Sequence, residues 1–195
     1  MSKIAIVYFS GMGHTHLVAE AIEKGARKVG GSTVELLRIT GEQITDGRWK
    51  DDAMIEKLNR SNAIVFGSPT YMGGVAGQFK CFIDDAGVWF EQKWKDKIAG
   101  GFTHSGSLSG DKQGTLLYLA IHAAQQSMIW VGPGDLPSNY FGKDDGVNRL
   151  GSFMGVMGQT MLDMSGKPPE VHPGDALTAE KYGERIALAT QRWHK

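Results

Sequence analysis

One run constrains the fold of this chain most. The apolar stretch Ile4-Ala5-Ile6-Val7-Tyr8-Phe9 leads into Ser10-Gly11-Met12-Gly13-His14-Thr15 and then into an amphipathic segment ending near Val29. Lys3 to Phe9 shows no polar alternation, as expected of a parallel strand covered on both faces. From His14 onward, Val18, Ile22, Gly25 and Val29 recur at spacings of 4, 3 and 4, a helix period. Glu20–Lys24 and Glu23–Arg27 are favourable i,i+4 pairs on its outer face, and Gly30-Gly31 stops it. A strand that delivers a glycine turn onto a helix start leaves the first-turn N–H groups unpartnered. They lie at the positive end of the helix dipole. Ser10 and Thr15 add hydroxyls, so the stretch reads as a phosphate cradle.

Related cradles differ in detail. A Walker A loop needs Lys followed by Ser or Thr after its second glycine. Here His14-Thr15 follows Gly13, which argues against a nucleoside triphosphate. The dinucleotide fingerprint needs a third glycine three residues on, where this chain has His16. A small, buried phosphate monoester remains, with His14 the one basic side chain available to it.

The rest of the chain reads as alternating strands and helices. Ser32 to Ile39 is a second strand, Thr40 to Asp52 a polar loop and Ala53 to Asn59 a short helix. Asn62 to Gly67 is a third strand, ending in Ser68-Pro69-Thr70-Tyr71-Met72-Gly73-Gly74; a helix with Val75, Phe79, Phe82 and Ile83 on one face follows. Lys97 to Thr103 is a fourth strand, ending in His104-Ser105-Gly106-Ser107-Leu108-Ser109-Gly110. Gln113 to Gln126 is an apolar helix and Met128 to Val131 a fifth strand. Gly132 to Pro173 is long for a loop and rich in Gly, Pro and Met, which points to function or an interface. Within it Met154, Met157, Met161 and Met164 step by 3, 4 and 3, as in an amphipathic helix. Thr178 is expected to cap a last helix carrying Tyr182, Ile186, Ala189 and Trp193. The expectation is an α/β fold: one doubly wound domain over residues 1–195, with an insertion at about 132–173.

Net charge is zero and no basic run exceeds two residues, so no nucleic-acid partner is expected. The apolar runs fall far short of the ~20 residues of a membrane span, and Met1-Ser2-Lys3 runs straight into the first strand, so no signal peptide is expected. Cys81 is the single cysteine and lies in an apolar helical pattern, so it reads as a packed thiol. The expected location is the cytoplasm. His14 and His16 have no further ligands nearby, so no metal site is expected. Asp84-Asp85 reads as a solvated helix end, and Trp49, Trp94, Trp130 and Trp193 read as packing or interface residues.

In a doubly wound sheet the glycine-rich loops after the first, third and fourth strands can meet at the carboxyl ends. The first offers phosphate donors. The second offers Pro69, Thr70, Tyr71 and Met72 around a glycine pair. The third offers backbone amides and small hydroxyls. Tyr71, Met72, Trp89 and Phe90 supply apolar surface for a flat ring. A flavin mononucleotide (FMN) fits this set well. A nucleoside monophosphate fits less well, because no carboxylate is placed for a ribose.

The Ser10–Thr15 motif, together with Gly67-Ser68-Pro69-Thr70-Tyr71-Met72-Gly73 running into Gly77-Gln78-Phe79-Lys80-Cys81-Phe82-Ile83-Asp84, resembles the flavodoxin-like NAD(P)H:quinone oxidoreductases of the WrbA type. The resemblance runs from Lys3 to about Val131 and returns in the last helix. It implies a flavodoxin-like five-stranded parallel sheet in the order 2-1-3-4-5, bound FMN, and two-electron reduction of quinones by NADH or NADPH. By that likeness Ser10, Gly11, Met12, Gly13, His14 and Thr15 hold the ribityl phosphate. Pro69, Thr70, Tyr71, Met72 and Gly73 line the ring, and His104, Ser105, Gly106, Ser107, Leu108 and Ser109 wrap its pyrimidine side. Met12 and Trp89, with Phe90 as a competitor for the latter, form the nicotinamide and quinone slot, with no catalytic acid or base. A homodimer or homotetramer is implied, in which Gln125 stands where a flavin-approaching His is usual. Tyr71 replaces a usual Arg, Leu108-Ser109 replace glycine, and the 132–173 segment is longer than usual. These departures bear on substrate preference and subunit contact more than on FMN. The alternatives are a one-electron carrier of the flavodoxin type, a reductase that releases reduced FMN, and a binding protein with a vestigial flavin pocket.

Overall fold

The computed structural model describes residues 1–86, 89–161, 163 and 165–194, apart from the side chain of Trp89. The chain runs β1 (Ser2–Phe9), α1 (His14–Arg27), β2 (Ser32–Ile39), β3 (Ile44–Thr45), β4 (Arg48–Trp49), α2 (Asp52–Arg60), β5 (Ala63–Tyr71), β6 (Gly74–Val75), α3 (Gly77–Asp85), β7 (Ile98–Ser105), α4 (Lys112–Gln125), β8 (Ile129–Trp130), β9 (Val156–Gln159) and α5 (Pro173–Trp193). The main sheet has the order β2-β1-β5-β7-β8, and these ladders are parallel. Numbering its five parallel positions along the chain gives the expected flavodoxin-like order 2-1-3-4-5.

Alternation along each strand feeds two cores. Ile4, Ile6 and Tyr8 of β1, Ala63 and Val65 of β5 and Phe102 of β7 pack with α1 and α5. Ala5 and Val7, Ile64 and Phe66, and Ala99 pack with α2, α3 and α4. Helices thus cover both faces, which explains the unbroken apolar strands. From β1 the chain goes one way to β2 and then the other way to β5, so loops at their carboxyl ends diverge and leave a crevice.

The fifth sheet position corrects two expectations. β8 pairs only with Ile98 and Ala99. The chain then leaves the sheet and returns as β9, which extends the same edge of β7 from Phe102 to Ser105. The expected methionine helix is therefore wrong over 156–159, which is strand; Met164 lies outside the described residues. Glycines explain the choice. A Cβ on Gly155 would come 2.4 Å from the Gly101 carbonyl oxygen, and one on Gly158 would come 2.8 Å from the His104 ring. Such close approach to β7 favours the ladder, while glycine disfavours a helix.

Thr178 is not a cap. Pro173 sits at the start of α5, and the His172 ring nitrogen Nδ1 accepts from the Gly174 N–H at 3.1 Å. Proline's fixed φ suits that position, so the helix begins a turn earlier. Thr178 lies inside it, donating to the Gly174 carbonyl and accepting from the Asn148 N–H at 2.8 Å. Asp85 is not a solvated end either. It accepts from the Trp49 N–H at 2.8 Å and pairs with Arg48, tying the β3–β4 hairpin to α3. Asp84 does face water, paired with Lys80. Trp49 and Trp94 are core residues, and Trp193 is half exposed.

Candidate functional site

The loops after β1, β5 and β7 converge as the topology requires. Gly11, Met12, His14, Thr15, Pro69, Thr70, Tyr71, His104, Ser105 and Gly106 line a cleft of about 130 Å3. Met12 and His14 also border a hollow of about 310 Å3, whose far wall is Thr160, Met161, Lys167 and Pro169.

The first loop leaves hydrogen-bond donors open at the start of α1. Gly13 precedes α1 with φ 92° and brings no side chain to cap it. The His16 N–H is taken by Ser10 Oγ at 3.2 Å. The N–H groups of His14 and Thr15 have no protein partner among the described residues, and neither does the hydroxyl of buried Thr15, which borders the cleft. Pro169 lies against Gly13, 2.5 Å from where a Cβ would stand. Behind the loop, Tyr8 Oη meets His16 Nδ1 at 2.6 Å, and burial pushes the Tyr8 phenol up to about 12. Tyr8 therefore stays neutral.

His14 stacks on His104, ring centroids 4.8 Å apart and 13° from parallel. Burial first, then the neighbouring His14, Lys112 and Arg149, drives His104 down to about 3. His104 is thus neutral near pH 7. The Thr160 hydroxyl donates to the Glu170 carbonyl at 3.0 Å, so its oxygen accepts from His104 Nε2–H at 3.2 Å. That assignment places the His104 proton on Nε2 and leaves Nδ1 as an acceptor.

In the second loop, Met72 and Gly73 both have positive φ, 50° and 81°, between the paired residues Tyr71 and Gly74. This is the mirror-image turn that hairpins favour. The Tyr71 phenol lies over the first loop: a Cβ on Gly11 would stand 2.5 Å from its oxygen. Burial raises its pKa, so it is a donor in the position where the resemblance led to expecting Arg. Thr70 turns inward, its hydroxyl joined to those of Thr103 and Thr115, each at 2.8 Å. The Thr70 side chain is therefore spent on the interior, and only the rest of the residue lines the cleft.

The third loop wraps the buried side chain of Lys112. Its Nζ donates to Ser105 Oγ at 2.9 Å, the Ser107 carbonyl at 2.7 Å and the Leu108 carbonyl at 2.9 Å. Gln159 Nε2 donates to the Gly106 carbonyl at 3.0 Å. β9 is held in turn by Asp175, which accepts the Gln159 N–H at 2.9 Å and grips Arg149 with both oxygens at 2.8 Å.

Residues 3–141 match the family described as NADPH-dependent FMN reductase. The chain belongs to that family. It is 38% identical to a protein named flavodoxin FldP from Pseudomonas aeruginosa, over all of both chains. It is 30% identical to an NAD(P)H dehydrogenase (quinone) of Azorhizobium caulinodans, over 96% of each. Among solved structures, a flavodoxin, WrbA-like protein from Agrobacterium tumefaciens aligns over the whole of both chains, with 37% identity and a TM-score of 0.75.

For a member of the FMN reductase family, the cradle offers what a phosphate monoester needs: bare N–H groups, a partnerless hydroxyl and a glycine that excludes any Cβ. Most of the residues expected from the sequence meet here, but not all. Met72 is fully exposed and Leu108 largely so, and neither lines the cleft. Gln125 is the last residue of α4, roughly 20 Å along the helix from the third loop at 1.5 Å per residue. It cannot reach this chain's own cleft. The side chain of Trp89 lies outside the described residues. Sequence reasoning missed Lys112, Gln159 and Thr160. The Val-Met-Gly-Gln alternation at 156–159 was the one available signal for the last two.

Proposed function

We propose that this chain is an FMN-dependent oxidoreductase that passes two electrons from NADH or NADPH to a quinone. The start of α1 carries the reading: its open N–H groups, with Thr15 beside them, form a phosphate seat at the mouth of a cleft walled by two further loops. Ser10 to Thr15 would take the phosphate, and the loops at Pro69–Gly73 and His104–Ser109 would take the ring. Bound FMN supplies the two-electron chemistry. The protein supplies position. Met12, half exposed between the cleft and the larger hollow, lines the approach for a planar substrate. Neutral His104 and the protonated Tyr71 phenol add hydrogen-bonding groups without adding charge. Donor and acceptor use one slot in turn, so initial rates should follow a ping-pong pattern. Family likeness supports a homodimer or homotetramer, which sedimentation would test.

The test is a visible spectrum of the purified protein, then anaerobic NAD(P)H, then benzoquinone. Flavin bands that bleach and return are the expected result. A colourless protein that takes up no FMN sinks the proposal. One observation favours a second reading: the Pseudomonas relative that aligns end to end is named a flavodoxin, which points to a one-electron carrier.

A further inference from the structure

Lys112 has no solvent-accessible surface, yet it is the first residue of α4. The positive end of a helix dipole disfavours a cation there. No acidic side chain stands in the first turn, and Asp111 makes no side-chain cap. Burial pushes the Lys112 pKa down, Asp175 opposes this through space and Arg149 adds to it, but three oxygens stand within donor range of Nζ. Ser105 gives its own hydroxyl proton to the Ser107 carbonyl at 3.1 Å. With that hydroxyl orientation Ser105 Oγ and the Ser107 and Leu108 carbonyls each accept from Nζ, which matches the three N–H bonds of an ammonium. Its acceptors are all neutral. Asp175, a carboxylate that acts on it through space, is already committed to Arg149 and the Gln159 N–H.

The contacts also set the direction of the loop. In a planar trans peptide the N–H points opposite to the carbonyl. The Ser107 and Leu108 carbonyls face Nζ, so the N–H groups of Leu108 and Ser109 face away from it. The Gly106 carbonyl faces Gln159, so the N–H of Ser107 turns from that side chain. The loop keeps its carbonyls within and presents donors outside, polarised by a buried positive charge.

We infer that Lys112 is a positioning residue whose ammonium sets the third loop to favour a flavin ring that has gained negative charge over one that has not. The inference rests on the proposed FMN site. It assigns the preference for reduced cofactor to a side chain that never touches it. The ammonium holds the N–H groups outward and adds its field to that of α4, so negative charge on the pyrimidine side of the ring is stabilised.

The experiment measures the affinity for oxidised FMN by fluorescence and the two-electron potential by anaerobic dye titration, in wild type, Lys112→Gln and Lys112→Arg. Wild type should bind reduced FMN more tightly than oxidised, placing the bound potential above that of free FMN. Lys112→Gln keeps a donor without charge. It should bind oxidised FMN within about threefold of wild type but weaken reduced FMN at least tenfold more than oxidised, a fall of about 30 mV for two electrons. Lys112→Arg should restore the potential. A wild-type potential below that of free FMN overturns the inference, whether or not the variants fold. So does a Lys112→Gln potential equal to wild type, or one shifted equally by Gln and Arg. A protein that binds no FMN defeats the proposed function instead.

Discussion

At Gly13 the chain takes a φ of 92° with Pro169 packed against the bare Cα. Both facts forbid a side chain, and both fall in the proposed phosphate seat. Gly13→Val should cost roughly 1–3 kcal/mol of stability from the forced backbone angle. It should also abolish FMN retention, read as the ratio of flavin to protein absorbance after desalting. A folded variant that stays fully loaded would refute the phosphate assignment. His122 makes a different argument. Its Nε2 is buried without a hydrogen-bond partner, and Phe66 meets the ring edge-on with centroids 5.2 Å apart. Burial pushes its pKa down to about 4, against a small opposing pull from Asp84. The folded ring is neutral where an unfolded one, near 6.5, takes up a proton. Stability from this group is therefore complete above pH 6.5 and is lost as pH falls toward 4, by roughly 3 kcal/mol. Urea midpoints at pH 7 and pH 4.5 should show the fall, and His122→Leu should lessen it. His104 shifts the same way, so some slope will persist.

Among the elements, α1 and α5 approach so closely that each needs a glycine opposite the other's backbone. A Cβ on Gly25 would stand 1.7 Å from the Glu180 carbonyl oxygen, and one on Gly183 would stand 1.9 Å from that of Ile22. Backbone cannot yield as a side chain can, so Gly183→Val should lower stability by about 3 kcal/mol or more. Gly77→Ala is the contrast: that exposed first residue of α3 meets nothing within 4 Å. It should gain a few tenths to about 1 kcal/mol from helix propensity. Thermal melts of both variants, moving in opposite directions, are the check. The elements that the sequence made legible are those whose pattern is local. β1, α1 and the glycine loop between them declare themselves by an apolar run, a helix period and a turn, and so do β5, β7 and α4. β9 does not, because a four-residue strand is stabilised by its ladder to β7, a partner some fifty residues away. Four methionines at helical spacing outweighed two glycines in the local pattern, although the glycines decide the outcome. The site was legible to the same degree. Its glycine turns could be read, but Lys112 could not. It looks like any surface lysine until the loop folds around it.

For the whole molecule, 21 basic side chains balance 21 acidic ones, so no long-range field of one sign is set up by net charge. A small electron carrier gains its speed by steering toward a partner of opposite charge, and such encounters slow steeply with salt. A neutral oxidoreductase acting on uncharged quinones needs no steering. Both readings share the fold, and the Pseudomonas relative named a flavodoxin keeps the carrier in contention, so ionic strength is the discriminating variable. Reduction of benzoquinone by the FMN-loaded protein should change less than about twofold between 20 mM and 300 mM salt, since a neutral acceptor has no charge to be screened. Stepwise anaerobic reduction should also pass from oxidised to fully reduced without a persistent one-electron species. Two-electron exchange with NAD(P)H and a quinone needs no stable half-reduced state. A stable one-electron form, together with fast, strongly salt-dependent exchange with a charged protein partner, would transfer the assignment to the carrier. The proposed phosphate seat at Gly13 is common to both readings, since either function would need the cofactor held there.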